Sequence, residues 1–200
     1  MDDAIKLVPE LDGELIFRPF ELDPTIPVEG VDYKAHMKEK FGSDSGRDRA
    51  NTMRDALIQY GQEEGIPYQF DRITRRPNSF NAHRLVRWAQ GQQKGAEAKE
   101  ALFKAYFSDG RDIGETEVLV DIAREINLDP SIVAELMPTD ADVENVRNEE
   151  ALFQQMGISG VPTYIAHRRI AVQGAETAEK LAKFLQHAAT QLPEERPAQG

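Results

Sequence analysis

The chain has 200 residues and a formal net charge of −11 at pH 7, because 35 acidic residues outnumber 24 lysines and arginines. This length suits one domain or one domain with an insertion, and the acidity argues against the broad basic face that binds nucleic acid. The sequence contains no cysteine, so these residues supply no disulfide, no thiolate metal ligand and no cysteine nucleophile.

No apolar run approaches the roughly 20 residues that a membrane-spanning helix needs, so no membrane association is predicted. The first residues, Met1 to Asp3, are acidic where a secretory signal carries positive charge. We therefore expect a cytoplasmic protein.

Helical spacing and then a strand pattern open the chain. The first apolar residues recur at intervals of three and four up to a stop at Asp12-Gly13. The run from Leu15 to Phe20 is mostly apolar, with an arginine and a proline near its end, and predicts a strand that finishes at an edge. Two prolines and Gly30 follow, so regular structure is expected to pause there.

Residues 32–156 are predicted to be helical almost throughout, since apolar side chains recur there with the helical period. The stretch from Gly42 to Gly46 is predicted to be a loop ahead of a helix from Asn51 to Glu64. The acidic stretch from Asp140 to Glu150 is interpreted as the solvated face of a helix. The predicted capping residues are Asn78 or Ser79, Asp129 before Pro130, and Thr139 with Asp142 as a capping box.

The period then changes, and residues 163–166 and 169–172 are short runs of β-forming residues that predict a hairpin. His167-Arg168 stands where a tight two-residue turn prefers Asn-Gly, so a longer or looser turn is expected. Thr177 is predicted to cap a final helix with one apolar stripe.

This order of elements predicts an α/β fold with a helical insertion. The strand at 15–20 has no partner near it in sequence, so it is expected to pair with the hairpin across the insertion. The two ends of the chain would then build one sheet.

A family resemblance rests on three stretches. Gly157 to Tyr164, with the sequence Gly-Ile-Ser-Gly-Val-Pro-Thr-Tyr, precedes a hairpin and a last helix and resembles the cis-proline loop of thioredoxin-fold proteins. Arg18 to Pro24 and Ala82 to Ala89 narrow the resemblance to DsbA-like oxidoreductases of the FrnE type. The resemblance covers roughly residues 4–187 and implies a thioredoxin-like fold with a large all-helical insertion.

The same resemblance implies a division of the chain. Residues 1–31 and 157–190 would form a discontinuous thioredoxin-like sheet domain, and residues 32–156 would form the helical insertion. Residues 191–200 are expected to be a flexible tail.

In this family a Cys-x-x-Cys pair after the first strand carries thiol–disulfide exchange, and a helix N-terminus lowers the pKa of the attacking thiol. That strand and that pair would lie before Met1, so the chain is expected to begin at an internal methionine of a longer reading frame. The resemblance therefore implies a member of the thiol–disulfide oxidoreductase or protein disulfide isomerase family that lacks its first strand, has no catalytic residue in this chain and is inactive as it stands.

Two alternatives remain open at this point. One is a glutathione-dependent isomerase resembling 2-hydroxychromene-2-carboxylate isomerase or the kappa-class glutathione transferases, which share the insertion. The other is a non-catalytic peptide-binding module, which the lack of cysteine favours directly.

The resemblance assigns Val161, Pro162 and Thr163 to the binding of an extended peptide or thiol substrate, through strand-like hydrogen bonds. Asn78 and His83 are candidate contacts in a cleft, although helical spacing also suits a structural histidine. No cofactor is predicted, and glutathione is the one small ligand left open. No metal is assigned, because no pair at metal-binding spacing occurs among His36, His83, His167 and His187.

Overall fold

The computed structural model describes residues 1–191, so residues 192–200 of the predicted tail lie outside the described residues. The helices are α1 (Asp2–Lys6), α2 (Tyr33–Phe41), α3 (Asp44–Glu63), α4 (Phe80–Gln90), α5 (Gly95–Phe103), α6 (Thr116–Glu125), α7 (Pro130–Leu136), α8 (Val143–Gln155) and α9 (Ala178–Thr190). The strands are β1 (Val31–Asp32), β2 (Arg75–Arg76), β3 (Thr163–Ala166) and β4 (Ile170–Gln173). A 3-10 turn spans Phe70–Arg72, and a π-helical turn spans Lys104–Ser108.

The chain divides into two compact units. Among the described residues, the smaller contains Met1–Leu15 together with residues 152–191, and the larger contains Ile16–Ala151. The boundary predicted after residue 31 differs from this division, because residues 16–31 belong to the larger unit.

The larger unit is built around a helical core. The apolar stripes of α4, α5 and α6 meet there, and Leu85, Leu119 and Ile122 are completely buried. Burying one such side chain contributes roughly 1.5–3 kcal/mol. The helical spacing predicted for these segments is confirmed.

The smaller unit packs α1 and α9 around a small core next to the hairpin of β3 and β4. Ala4, Val8, Leu181 and Ala182 are buried there, and Tyr164 of β3 packs against them. The antiparallel register pairs Thr163 with Gln173 and Ala166 with Ile170, which confirms the predicted hairpin.

The hairpin turn is tighter than expected. Arg169 donates its backbone N–H to the carbonyl oxygen of Ala166 at 3.1 Å. His167 and Arg168 both adopt left-handed backbone conformations, with φ of 51° and 58°. The preference for Asn-Gly is therefore overridden here, since pairing of the two strands fixes a turn that needs positive φ at both positions.

The strand predicted at Leu15–Phe20 is wrong. Residues 11–30 have no regular structure, and the described strands pair only as β1 with β2 and β3 with β4. A strand needs a neighbouring backbone, whereas here the amide of Phe17 donates to Gln90 Oε1 at 3.3 Å and that of Glu21 donates to Glu150 Oε1 at 3.0 Å. The expected single sheet from both ends of the chain is therefore absent from residues 1–191.

The β1–β2 ladder is not foreseen by the sequence. Val31 pairs with Arg76 and Asp32 pairs with Arg75. Strands of two residues show no alternation of polar and apolar side chains, so periodicity cannot reveal them.

Helix starts follow the predicted chemistry in most places. Asp129 accepts from the amides of Ser131 and Ile132, and Thr177 accepts from Lys180, so both predicted caps are confirmed. The loop predicted at Gly42–Gly46 is wrong, because Ser43 accepts from the amide of Gly46 and starts α3 there.

The predicted capping box of Thr139 with Asp142 is also wrong. The Thr139 hydroxyl accepts from the amide of Ala141, two residues away, and α8 begins only at Val143. Asp142 lies directly before the helix with φ of 59°. Its carboxylate bonds to side chains instead of the amides that a cap would satisfy.

Candidate functional site

The proline loop precedes β3 in the smaller unit. The Val161–Pro162 peptide bond is cis. The Thr163 hydroxyl donates to the carbonyl oxygen of Gly160 at 2.7 Å, and the amide of Gly174 donates to the carbonyl oxygen of Pro162 at 2.8 Å. Pro162 and Thr163 are thus tied to their own hairpin.

Val161 differs from its neighbours in this loop. It is 52% exposed, and none of the hydrogen bonds among residues 1–191 uses its backbone N–H or its carbonyl. A free donor and a free acceptor at the start of a strand can pair with the backbone of an extended peptide. Of the three residues assigned to substrate, Val161 has the backbone groups that such pairing needs.

Asn78 lies at the start of α4, in the larger unit. Its side-chain Oδ1 accepts from the amide of Phe80 at 3.0 Å, and its Nδ2 donates to the carbonyl oxygen of Ile26 at 2.8 Å. The predicted capping role of Asn78 is confirmed. With both ends of the amide engaged, the side chain holds the loop before β1 against α4.

His83 is partly buried one turn further along α4, with Nε2 3.5 Å from the Ser79 hydroxyl. Burial lowers the pKa of His83 to about 4, and a smaller contribution from a hydrogen bond with the Phe20 backbone opposes this shift. The imidazole is therefore neutral at pH 7, so it can donate or accept a hydrogen bond but brings no positive charge.

An open pocket of ≈ 460 Å³ lies beside His83. One wall is the irregular segment from Ile16 to Pro19, and the other is the partly buried side of α4 that carries Arg87 and Trp88. Asp142 and Glu149 close it with negative charge. The pocket thus combines apolar side chains with both positively and negatively charged groups.

Asp142 organises the charged side of this pocket. Its carboxylate accepts from Arg87 Nε at 2.8 Å, from Trp88 Nε1 at 2.9 Å and from Asn145 Nδ2 at 2.7 Å. The hydrogen bond from Asn145, followed by those from Arg87 and Trp88, lowers the pKa of Asp142. The carboxylate remains ionised and fixes the indole and the guanidinium in place.

Arg87 links Asp142 to Glu149. Its Nη1 donates to Glu149 Oε1 at 2.5 Å, and Arg18 lies 3.2 Å from the same carboxylate. These pocket residues are missed by sequence reasoning. The one local signal is the spacing of Arg84, Arg87 and Trp88 on neighbouring turns of α4.

Arg84 is almost completely buried behind the pocket, at 2% exposure. Its guanidinium donates to the carbonyl oxygens of Leu136, Met137, Thr139 and Ala141 at 2.8–3.1 Å. It therefore caps the C-terminal end of α7, where carbonyl groups have no partner within the helix. Burial lowers the pKa of Arg84, and the charges of Asp142 and Asp140 oppose this shift.

The acidic stretch before residue 151 is only partly a solvated face. Glu150 is 5% exposed, and so is Glu21, whose side chain receives a hydrogen bond from Arg147 at 2.5 Å. Burial, and then the charge of Glu21, raises the pKa of Glu150. The interpretation of this stretch as solvated is therefore wrong at Glu150, because the segment around Glu21 covers it.

Within residues 1–191, no group of three or more histidine, aspartate or glutamate side chains is placed to hold a metal ion. None of the helices in this part of the chain is both long enough and apolar enough to span a membrane.

Known proteins resemble this chain in sequence and in structure. The uncharacterized protein YwbO of Bacillus subtilis (strain 168) is 23% identical over 156 residues, which are 77% of this chain and 72% of that protein. The probable DsbA oxidoreductase SCO1869 of Streptomyces coelicolor superposes with a TM-score of 0.83 at 27% identity, over 96% of this chain and 82% of that one.

A 2-hydroxychromene-2-carboxylate isomerase shares the fold at a TM-score of 0.62 and 16% identity, over 94% of this chain and 86% of that one. The sequence profile of the DSBA-like thioredoxin domain matches residues 2–186. The predicted DsbA-like α/β fold is thus confirmed, and the chain belongs to the DSBA-like thioredoxin domain family.

Proposed function

We propose that this chain serves thiol–disulfide exchange of the DsbA type by holding an extended polypeptide against Val161. The observation that carries the proposal is the exposed backbone of Val161, whose N–H and carbonyl are unused among the described residues. Pairing of an extended peptide with the end of a strand gives affinity through main-chain hydrogen bonds and tolerates many sequences. Such tolerance suits a protein that acts on unfolded substrates.

The chemical step needs a thiolate, and these 200 residues contain no cysteine. We therefore assign substrate binding to this chain and the attacking sulfur to a group outside it. By itself the chain is expected to bind a reduced polypeptide and not to accelerate the reduction of insulin disulfides by dithiothreitol.

The binding role is tested with the variant Val161→Pro, which removes one backbone donor. Loss of one hydrogen bond is worth about 1 kcal/mol, so the affinity for an extended peptide is expected to fall roughly fivefold. The probe is the carboxymethylated insulin B chain, and the measurement is fluorescence anisotropy of its labelled form.

The matched variant Val161→Thr keeps the backbone N–H and a side chain of similar shape, and it is expected to bind as the parent does. Equal binding by Val161→Pro and the parent would contradict the proposal. Reduction of insulin above background by the 200-residue chain would contradict the assignment of the thiolate to another group.

A second candidate is the binding of glutathione in the pocket beside His83. Glutathione carries two carboxylates and one ammonium group, and this pocket presents the cations Arg18 and Arg87 next to the anions Asp142 and Glu149. The shared fold with 2-hydroxychromene-2-carboxylate isomerase supports this candidate at the level of architecture.

Isothermal titration with reduced glutathione tests this candidate. The Arg18 side chain is 45% exposed, so Arg18→Gln removes a charge from the pocket with little effect on the core. The affinity of the Arg18→Gln variant for glutathione is expected to fall several-fold, because a charge-assisted hydrogen bond is lost. Arg169→Gln, in the exposed hairpin turn, is the control, and equal losses in both variants would show that the charge acts without a specific site.

A further inference from the structure

A separate pocket of ≈ 250 Å³ lies in the larger unit, between α2, the 3-10 turn, β2 and the π-helical turn. Its walls are rich in aromatic side chains, and Phe107 packs edge to face against both Tyr106 and Phe70. Aromatic walls of this kind bind flat apolar rings, because ring edges and ring faces attract each other. None of the residues assigned above to peptide or glutathione binding lines this pocket.

Two nitrogen atoms on the pocket residues His36 and Arg76 are unusual. His36 Nε2 and Arg76 Nε are buried, and neither has a hydrogen-bond partner within the described chain. An unpaired buried polar group destabilises the folded chain, so such groups are rare in folded proteins. Arg76 is always charged, and the partner that satisfies it best is an anionic oxygen.

The charges around the pocket favour the same kind of partner. Lys40 adds a second cation to the lining, and none of the lining residues is acidic. Asp23 lies near enough for Arg76 and His36 to contribute to the lowering of its pKa, although its hydrogen bond with Thr25 contributes most. The Thr25 hydroxyl donates to the Asp23 carboxylate at 2.6 Å, so this acid already has a partner.

We propose that this pocket binds a small aromatic carboxylate. The carboxylate pairs with the cationic side chains of Arg76 and Lys40, and the ring lies among Phe70, Tyr106 and Phe107. The volume suits a single ring with a short substituent, and a few fixed polar groups within an apolar lining are typical of small-molecule sites. The proposal does not depend on thiol chemistry or on peptide binding at Val161.

Isothermal titration with benzoate tests the proposal on the 200-residue chain. Benzamide has the same shape without the charge, and acetate has the charge without the ring. Benzamide loses the charge-assisted hydrogen bonds and acetate loses the contacts of the ring, so both controls are expected to bind at least roughly tenfold more weakly than benzoate.

Two variants locate the site. Arg76→Gln is expected to weaken benzoate at least roughly tenfold, whereas Arg49→Gln removes the same charge from the exposed surface of α3 and leaves binding unchanged. Met37→Trp fills the cavity from α2 without removing a charge and is expected to abolish binding. This second variant keeps the test decisive if Arg76→Gln disturbs the short β1–β2 ladder, and far-UV circular dichroism checks the fold of each.

Three results would overturn the proposal. The first is no binding of benzoate at millimolar concentration by a folded parent chain. The second is binding of acetate or benzamide as tight as that of benzoate. The third is unchanged benzoate affinity in folded Met37→Trp or Arg76→Gln, which would place the ligand elsewhere.

Discussion

Replacing Arg84 with methionine is expected to lower the free energy of unfolding by about 3–5 kcal/mol. The guanidinium is buried and donates to four backbone carbonyl groups at the end of α7, from Leu136 to Ala141. Methionine preserves the apolar stem but removes the donor to the carbonyl oxygens of Met137, Thr139 and Ala141, whereas that of Leu136 still accepts from Thr139. Urea unfolding followed by the fluorescence of Trp88, the single tryptophan of the chain, measures the change.

Two control variants accompany this experiment. Arg84→Lys keeps the charge but cannot reach several carbonyl groups with one planar fork, so an intermediate loss is expected. Arg124→Met removes an arginine that is 61% exposed and is expected to change stability by less than about 0.5 kcal/mol. A loss below about 1 kcal/mol for Arg84→Met would contradict the capping role of Arg84.

The second large effect is a loss of stability in acid that depends on His83. The folded pKa of His83 is lowered from 6.5 to about 4, so on acidification the unfolded chain takes up the proton first. The contribution of the neutral His83 to the free energy of unfolding is fully present above pH 6.5 and is lost as the pH falls towards 4. At about 1.4 kcal/mol per pKa unit, the free energy of unfolding falls by about 3 kcal/mol across this range.

Other groups titrate nearby, so the comparison is made between the parent and His83→Gln. Glu150 has a raised pKa and Asp142 a lowered one, and their effects on acid stability have opposite signs. Both are present in the two proteins and cancel in the difference. Urea unfolding at several pH values between 7 and 4 is expected to show the two curves converging, and parallel curves would show that His83 is not buried as a neutral ring.

The helices and the hairpin could be predicted because their signals are local. Periodic apolar residues mark α4 and α6, and the capping oxygens of Asp129 and Thr177 lie within three residues of the amides that they satisfy. The strand at Leu15–Phe20 fails for the opposite reason. A short apolar run forms a strand only where a neighbouring strand pairs with it, and the local sequence does not show whether such a strand is present.

The candidate sites divide in the same way. The loop around Val161 could be found from a short motif, but its free backbone groups could not. The contacts of Arg87 with Asp142 and Glu149 join residues that are 55 and 62 positions apart, so no local sequence spacing predicts these contacts. Burial of Glu150 likewise depends on Glu21, 129 positions away along the chain.

The way in which Arg84 holds the segment after α7 bears on how this protein tolerates mutation. In that segment its guanidinium donates to backbone carbonyl oxygens, which every amino acid supplies, and makes no hydrogen bond to the side chains. Exposed positions of that segment, such as Pro138, can therefore change freely as long as the path of the chain is kept, whereas Met137 is held by its burial in the core. Position 84 has no such freedom, because no other side chain offers five donors in one plane.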